Sequence, residues 1–140
     1  MAEHPHVELV QRAYRALSEG DLDTVSESWA ADFVIYVPGN TWVSGEYKGR
    51  DAMMEISRQM RDGTDGTLRW DLRQMFVDGR GHVVSVSRMT AERQGRHLDQ
   101  LQATLSTSVG GRLSSSQLFQ EDLDAFDEFW GDEGGAQAQR

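Results

Sequence analysis

Residues 67–120 read TLRWDLRQMFVDGRGHVVSVSRMTAERQGRHLDQLQATLSTSVGGRLSSSQLFQ. Throughout this stretch apolar and polar residues alternate with a period near two, which is the signature of β-strands with one covered face. Three glycine-bearing breaks divide it: Asp78-Gly79-Arg80-Gly81, Gln94-Gly95 and Gly110-Gly111. Each is short enough for a hairpin turn, so the stretch predicts four antiparallel strands over about 67–78, 82–93, 97–109 and 112–120. Strands of this length must twist and coil. If helices cover the concave side, the sheet becomes a cone, and a cone lined by more than it can fill encloses a pocket.

Working outward, the preceding segments supply the helices. Val7, Val10, Tyr14 and Leu17 recur at spacings of three and four, which predicts an amphipathic helix over 6–19. Gly20 ends it, and Asp21 is placed to cap a short second helix whose buried stripe is Leu22, Val25 and Trp29. Phe33 to Val37 is β-rich, Pro38-Gly39-Asn40 breaks it, and residues 39–49 read as a loop carrying Trp42 and Tyr47. Asp51 is then the expected cap of a third helix with Met53, Ile56 and Met60 on one face. A closing helix over about 121–130 carries Leu123, Phe126, Phe129 and Trp130, and GDEGGAQAQR reads as a disordered tail. The expected organisation is one α+β domain over 1–130 followed by a polar tail over 131–140. Its core is a cone-shaped, strongly curved mixed or antiparallel sheet packed on three N-terminal helices.

Composition narrows the function. A chain of 140 residues, 38% hydrophobic with four Trp, can bury a core and still leave room for a cavity. The balance of 14 Lys+Arg against 23 Asp+Glu, net charge −9, argues against nucleic acid or an anionic membrane as partner. No apolar run approaches the roughly 18 residues of a membrane span, and MAEHPHVELVQ has neither the basic start nor the apolar stretch of a signal peptide. A cytoplasmic location is therefore expected. The absence of cysteine removes disulfides, thiolate metal sites and a Cys nucleophile. His4, His6, His82 and His97 show no metal-ligand spacing, so no metal is expected, and no other cofactor is expected because proton transfer plus enforced substrate shape can suffice.

The run Ala16-Leu17-Ser18-Glu19-Gly20-Asp21-Leu22-Asp23, followed by Trp29-Ala30-Ala31-Asp32-Phe33, resembles the opening of the nuclear-transport-factor-2-like superfamily. Val37-Pro38-Gly39 and Ser44-Gly45-Glu46-Tyr47-Lys48-Gly49-Arg50-Asp51-Ala52 resemble its SnoaL-like branch, and the resemblance extends over about 7–130. It implies a homodimer formed through the outer sheet face. It does not carry the family's catalytic carboxylates with it. The proton-abstracting position of ketosteroid isomerases matches Val37, their oxyanion-stabilising Asp falls near Ala103, and only their helix-1 tyrosine has a counterpart, Tyr14. The final-strand Asp of polyketide cyclases matches Leu118, and the Arg and Asp of epoxide hydrolases match Ser85 and Ser87. This fold hosts enzymes and binders alike, so the family alone does not decide function.

Candidate site residues follow from taking Ala103 as facing the cone. Period two then turns His97, Asp99, Leu101, Leu105 and Thr107 inward, and pairing across Gln94-Gly95 brings Ser85, Ser87, Met89 and Ala91 with them. Leu113, Ser115, Gln117 and Phe119 would follow on the last strand, with Tyr14, Trp29, Phe33, Trp42 and Trp70 as aromatic walls. Asp99 is the sharpest candidate for a general base, with His97 as relay and Tyr14 as a further proton donor, because a carboxylate in an apolar cone has its pKa raised. The alternative places Asp99 and His97 at the sheet rim in water. Trp42 either caps the mouth of the cone or packs on the sheet. Three functions stay open. One is a cofactor-free cyclase, isomerase or ring-opening hydrolase acting on a hydrophobic polyketide- or terpenoid-like molecule. The second is a binder that holds such a molecule without chemistry, and the third is a dimerisation module with a filled cone. A void of several hundred Å³ would set the third apart.

Overall fold

A computed structural model describes residues 5–131. His4 and the tail beyond Gly131, for which disorder is expected from the sequence, lie outside the described residues. The chain runs α1 (Pro5–Glu19), α2 (Leu22–Ser28), β1 (Trp29–Val37), β2 (Gly45–Lys48), α3 (Arg50–Gly63), β3 (Arg69–Val77), β4 (His82–Arg93), β5 (Arg96–Val109), β6 (Arg112–Gln120) and α4 (Leu123–Trp130). The strands form one mixed sheet in the order β2-β1-β6-β5-β4-β3. All neighbours are antiparallel except β1 and β6, which run parallel with Tyr36 opposite Gln117.

The predicted elements form for the reasons their sequences suggest. In α1 the inward stripe is Leu9, Val10, Ala13 and Ala16, flanked by half-buried Tyr14 and Leu17. Asp21 caps α2 by accepting the Thr24 amide at 3.2 Å. Gln94 and Gly95 both adopt positive φ, 51° and 77°, so β4 and β5 are joined by a tight two-residue turn with Arg93 opposite Arg96. Register shifts at Leu72/Gln74, at Thr107/Ser108 and within β1 bend the sheet without closing it.

Three local expectations need correction. Trp29 does not belong to the second helix: it is the α2 C-cap and the first residue of β1, where it is buried. The segment read as a loop over 39–49 contains β2, whose backbone pairs with β1 from Val34↔Lys48 to Val37↔Gly45. Asp51 lies inside the first turn of α3 rather than capping it; Gly49 is the cap residue and makes no side-chain bond.

At one end, α4 stoppers the fold. Phe129 and Trp130 meet edge to face at 4.9 Å, Phe126 and Trp130 at 6.4 Å, and Trp42 and Trp130 at 5.7 Å. Gln100 ties this helix to the sheet, accepting from the Asp122 amide at 2.8 Å and donating to the Asp122 carbonyl at 3.0 Å. Arg93 is buried, donates to the Phe129 carbonyl at 3.1 Å and lies over the Trp42 ring at 5.9 Å. A cation at the last turn of a helix meets the negative end of its dipole, and a planar guanidinium stacks well on an indole.

Candidate functional site

Between the helices and the concave sheet face lies an internal cavity of about 110 Å³. Its helical wall is built from Val10, Ala13, Tyr14 and Leu17 of α1 and from Met53, Ile56, Ser57, Met60 and Arg61 of α3. The α3 residues are spaced as i, i+3, i+4, i+7 and i+8, a single helical stripe. Trp29, Phe33, Ile35 and Val37 of β1 form a second wall, with the Trp29 and Phe33 rings stacked at 5.2 Å. Trp70 and Met89 stand on the β3–β4 side, and Phe126 of α4 closes the far end. Leu17, Leu22, Met53, Ser57, Met60 and Arg61 are only half-buried, which marks the corner between α1, α2 and α3 as the way in.

The floor of the cavity is polar. Gln102, Thr104 and Ser106 of β5, with Ser116 of β6, line it. These groups satisfy one another: the Ser106 and Ser116 hydroxyls lie 2.9 Å apart, and Gln120 Nε2 donates to Gln102 Oε1 at 2.9 Å. The Tyr14 hydroxyl donates to Thr104 Oγ1 at 3.2 Å, which leaves Ser85 Oγ as the donor in its 3.1 Å contact with the same phenol oxygen. Buried hydroxyls without partners are costly, so this lattice is what makes a polar floor compatible with folding. Ser87, though fully buried on the inner face, has no hydrogen-bond partner for its hydroxyl among the described residues.

The expected site residues divide sharply. Tyr14, Trp29, Phe33, Trp70 and Met89 do line the cavity, and Ser85 stands behind Tyr14. Asp99 and His97 do not. Both are exposed on the outer face of β5, and Asp99 accepts from Arg88 Nε at 2.7 Å and from Arg88 Nη2 at 2.5 Å. This hydrogen-bonded guanidinium holds the Asp99 carboxyl below the usual carboxylate range, the reverse of what a buried base needs. Leu101, Ala103, Gln117 and Phe119 also point outward, away from the cavity. Trp42 is buried against Trp130 beneath Arg93 rather than at the mouth.

One geometric fact explains most of these corrections. Arg93↔Arg96 pairing makes the inward odd-numbered residues of β4 face even-numbered residues of β5: Ser85↔Thr104, Ser87↔Gln102 and Met89↔Gln100. On β6 the shift between Thr107↔Ser115 and Ser108↔Leu113 leaves Ser114 unopposed, so Leu113 faces in and Ser116 and Leu118 follow it. Gln102, Thr104, Ser106 and Ser116 were therefore missed as lining residues, and Arg61 of α3 was missed too, though not through strand register. The length of the Gln94-Gly95 turn was the signal that could have found the β5 set.

None of the described residues lining the cavity is Asp, Glu, His or Lys, and Arg61 is its one charged member. Val37 and Leu118, the positions that the resemblance matches to carboxylates, both line it, and Gln102 and Thr104 take the inward places around Ala103. Among the described residues no three His, Asp or Glu are grouped to hold a metal ion, and no helix is long and apolar enough to cross a membrane.

Comparison with known proteins agrees with this architecture. Uncharacterised proteins of Mycobacterium tuberculosis and Mycobacterium bovis are 32% identical over 130 residues, covering 93% of this chain and 99% of theirs. The structure of Bal32a, from a soil-derived mobile gene cassette, superposes with a TM-score of 0.89 at 31% identity, covering 91% of this chain and 97% of that one. A Catenulispora acidiphila protein with a ketosteroid isomerase-like fold shares the architecture at 16% identity, with a TM-score of 0.74 over 89% of this chain and 93% of that one. The model of the SnoaL-like domain matches residues 10–115, and the chain belongs to this family, on the nuclear-transport-factor-2-like α+β fold.

Proposed function

We propose that this protein binds a small, largely apolar molecule in the cavity between α1, α3 and the sheet, and holds it without chemistry. The observation that supports the reading is the character of the lining: stacked aromatics, aliphatic side chains and methionines over a floor of mutually bonded hydroxyls and amides. Apolar walls favour an apolar guest, and a cavity of roughly 150 Å³ lined by aliphatic and aromatic side chains accepts benzene. At about 110 Å³ the resting cavity falls short of the several hundred Å³ that would set a filled dimerisation module apart, and suits a guest near one ring in size. Met53 and Met60 at the entrance are unbranched and adaptable, which gives a larger guest room to enter.

A second reading, a cofactor-independent isomerase or cyclase acting on a polyketide- or terpenoid-like molecule, draws on Tyr14. Its hydroxyl is held between Ser85 and Thr104 at the cavity wall and, by turning its proton away from Thr104, would donate to a carbonyl oxygen. What weighs against this reading is that no carboxylate or imidazole stands beside it to take a proton from carbon. One experiment separates the two. Cyclohex-3-en-1-one, a single-ring β,γ-unsaturated ketone, is followed by ligand-observed NMR and near-ultraviolet absorbance. A binder retains it and returns it unchanged. Ala13→Leu, which fills the cavity, should weaken retention about tenfold, as the loss of about 1.4 kcal/mol requires. Appearance of the conjugated ketone at a rate abolished by Tyr14→Phe would instead establish the second reading, and no binding at all would sink both.

We further propose that a second copy of the chain covers the outer sheet face. Tyr36, Leu101, Leu105 and Phe119 lie there 38–48% exposed, more apolar surface than a solvated sheet face usually carries.

A further inference from the structure

Arg61 sits in the last turn of α3, and its backbone is pinned. Its carbonyl accepts from the Thr64 amide at 3.3 Å, the Thr64 hydroxyl at 3.1 Å and the Gly66 amide at 2.9 Å. From there the side chain crosses to the α1–α2 corner and lies on Gly20. A Cβ at Gly20 would come within 2.6 Å of Arg61 Cζ and of both terminal nitrogens, so the absence of a side chain is what makes the berth. Gly20 also has φ +73°, a conformation that already favours glycine. Leu17 and Leu22, which flank this corner, line the cavity together with Arg61.

The guanidinium has no hydrogen bond or ion pair among the described residues, while the nearby Asp21 carboxylate is committed to the Thr24 amide and hydroxyl at 3.2 and 2.6 Å. Arginine usually sends its head group into water while its stem covers apolar surface. Here the head is laid on backbone at the rim of a cavity that is otherwise uncharged. Its five donors form a rigid fork suited to two oxygens at once. An apolar chamber with one unneutralised cation at its entrance is complementary to an amphipathic acid, with the ring inside and the anion at the rim.

We propose that the ligand carries a carboxylate or comparably acidic oxygen and that Arg61, berthed on Gly20, is the group that receives it. This rests on the binding reading above, and adds the chemical class of the guest. With a formal net charge of −9 the protein's overall field repels anions, so a preference for an acid must come from a local contact and not from long-range steering.

Benzoate and benzamide, nearly the same in shape and differing in charge, provide the test at neutral pH by ligand-observed NMR titration. The wild type should bind benzoate about tenfold or more tightly than benzamide, the advantage of a charge-assisted over a neutral hydrogen bond. In Arg61→Met, which keeps the apolar stem, the ratio of benzoate to benzamide affinity should fall to about one. Gly20→Ala, with Arg61 in place but displaced from its berth, should also shrink it. Equal binding of the two probes by the wild type, or an acid preference that survives Arg61→Met or is untouched by Gly20→Ala, would overturn the assignment of Arg61 while leaving the apolar cavity standing. Failure of both probes to bind would remove the binding reading and this inference together.

Discussion

The two faces of β5 are inverted with respect to an ordinary half-buried strand. Its covered face carries Leu98, Gln100, Gln102, Thr104, Ser106 and Ser108, all buried and mostly polar. Its outer face carries Leu101, Leu105 and Val109, exposed by 40%, 38% and 67%. A strand selected only to fill a core would reverse this arrangement, since each buried hydroxyl or amide must find a partner. Four of the five polar residues have partners, Tyr14 for Thr104, Ser116 for Ser106, Gln120 for Gln102 and Asp122 for Gln100, while the buried Ser108 hydroxyl has none among the described residues. The difference teaches that the inner face is built to present oriented polar groups to a cavity, and that the outer face is suited to being covered by something else.

Three measurements sharpen or break this contrast. Met89 is buried against the cavity on the neighbouring strand, so Met89→Ala should cost ~2–5 kcal/mol in urea denaturation at low protein concentration. Leu105→Ala on the outer face should cost the isolated monomer only about 0.5 kcal/mol; a loss equal to that of Met89→Ala would mean the two faces are not distinct. Next, Leu101→Asp combined with Leu105→Asp should lower self-association at least about tenfold in light scattering, because it sets buried like charges against each other across a two-fold interface. Unchanged association would place the partner elsewhere.

The smallest effect is expected at the outer-face ion pair. Hydrogen bonding to Arg88 depresses the Asp99 pKa, so its contribution to stability is present above the unfolded carboxyl value near 3.9 and is lost as pH falls through the folded value. Asp78, drawn down to about 2 first by the Arg80 amide and also by His82, behaves in the same sense at the β3–β4 turn. Carboxyl-detected NMR titration should show both depressed. Asp99→Asn should remove its share of the acid sensitivity and leave cyclohex-3-en-1-one retention unaltered. A change in retention would return Asp99 to the site.

Much of the fold was legible because it is written locally. The Val10–Tyr14–Leu17 and Met53–Ile56–Met60 spacings mark the two helices that wall the cavity, and Gln94-Gly95 and Gly110-Gly111 mark turns whose positive φ few other residues accept. The orientation of β5 was misread because Ala103, which the resemblance matches to an inward position, was taken to face the cone, and Leu101, Leu105 and Val109 share its parity. The correct facing was available from arithmetic: a two-residue turn makes paired positions sum to an odd number, so Ser85 and Met89 cannot face the same way as Ala103 and Asp99. On β6 no such signal exists. The run Leu113-Ser114-Ser115-Ser116-Gln117 gives no sign of where an extra residue is accommodated, and only the pairing with β5 places it at Ser114. Arg61 was invisible for another reason. Its significance depends on Gly20, forty-one positions earlier, which joins it only when α1, α2 and α3 meet.

An open sheet has two sides along which further strands could add, here β2 and β3. The first is only four residues long, Gly45–Lys48, and bears Glu46 and Lys48. The second carries Arg69, Asp71 and Arg73, with Arg73 Nε 3.0 Å from Asp71 Oδ2. Brevity and charge both discourage lateral addition of another chain's backbone. Growth sideways into a filament is thereby disfavoured, and in the proposed pairing through the flat of the sheet a second copy would lie on the side away from the helices that wall the cavity.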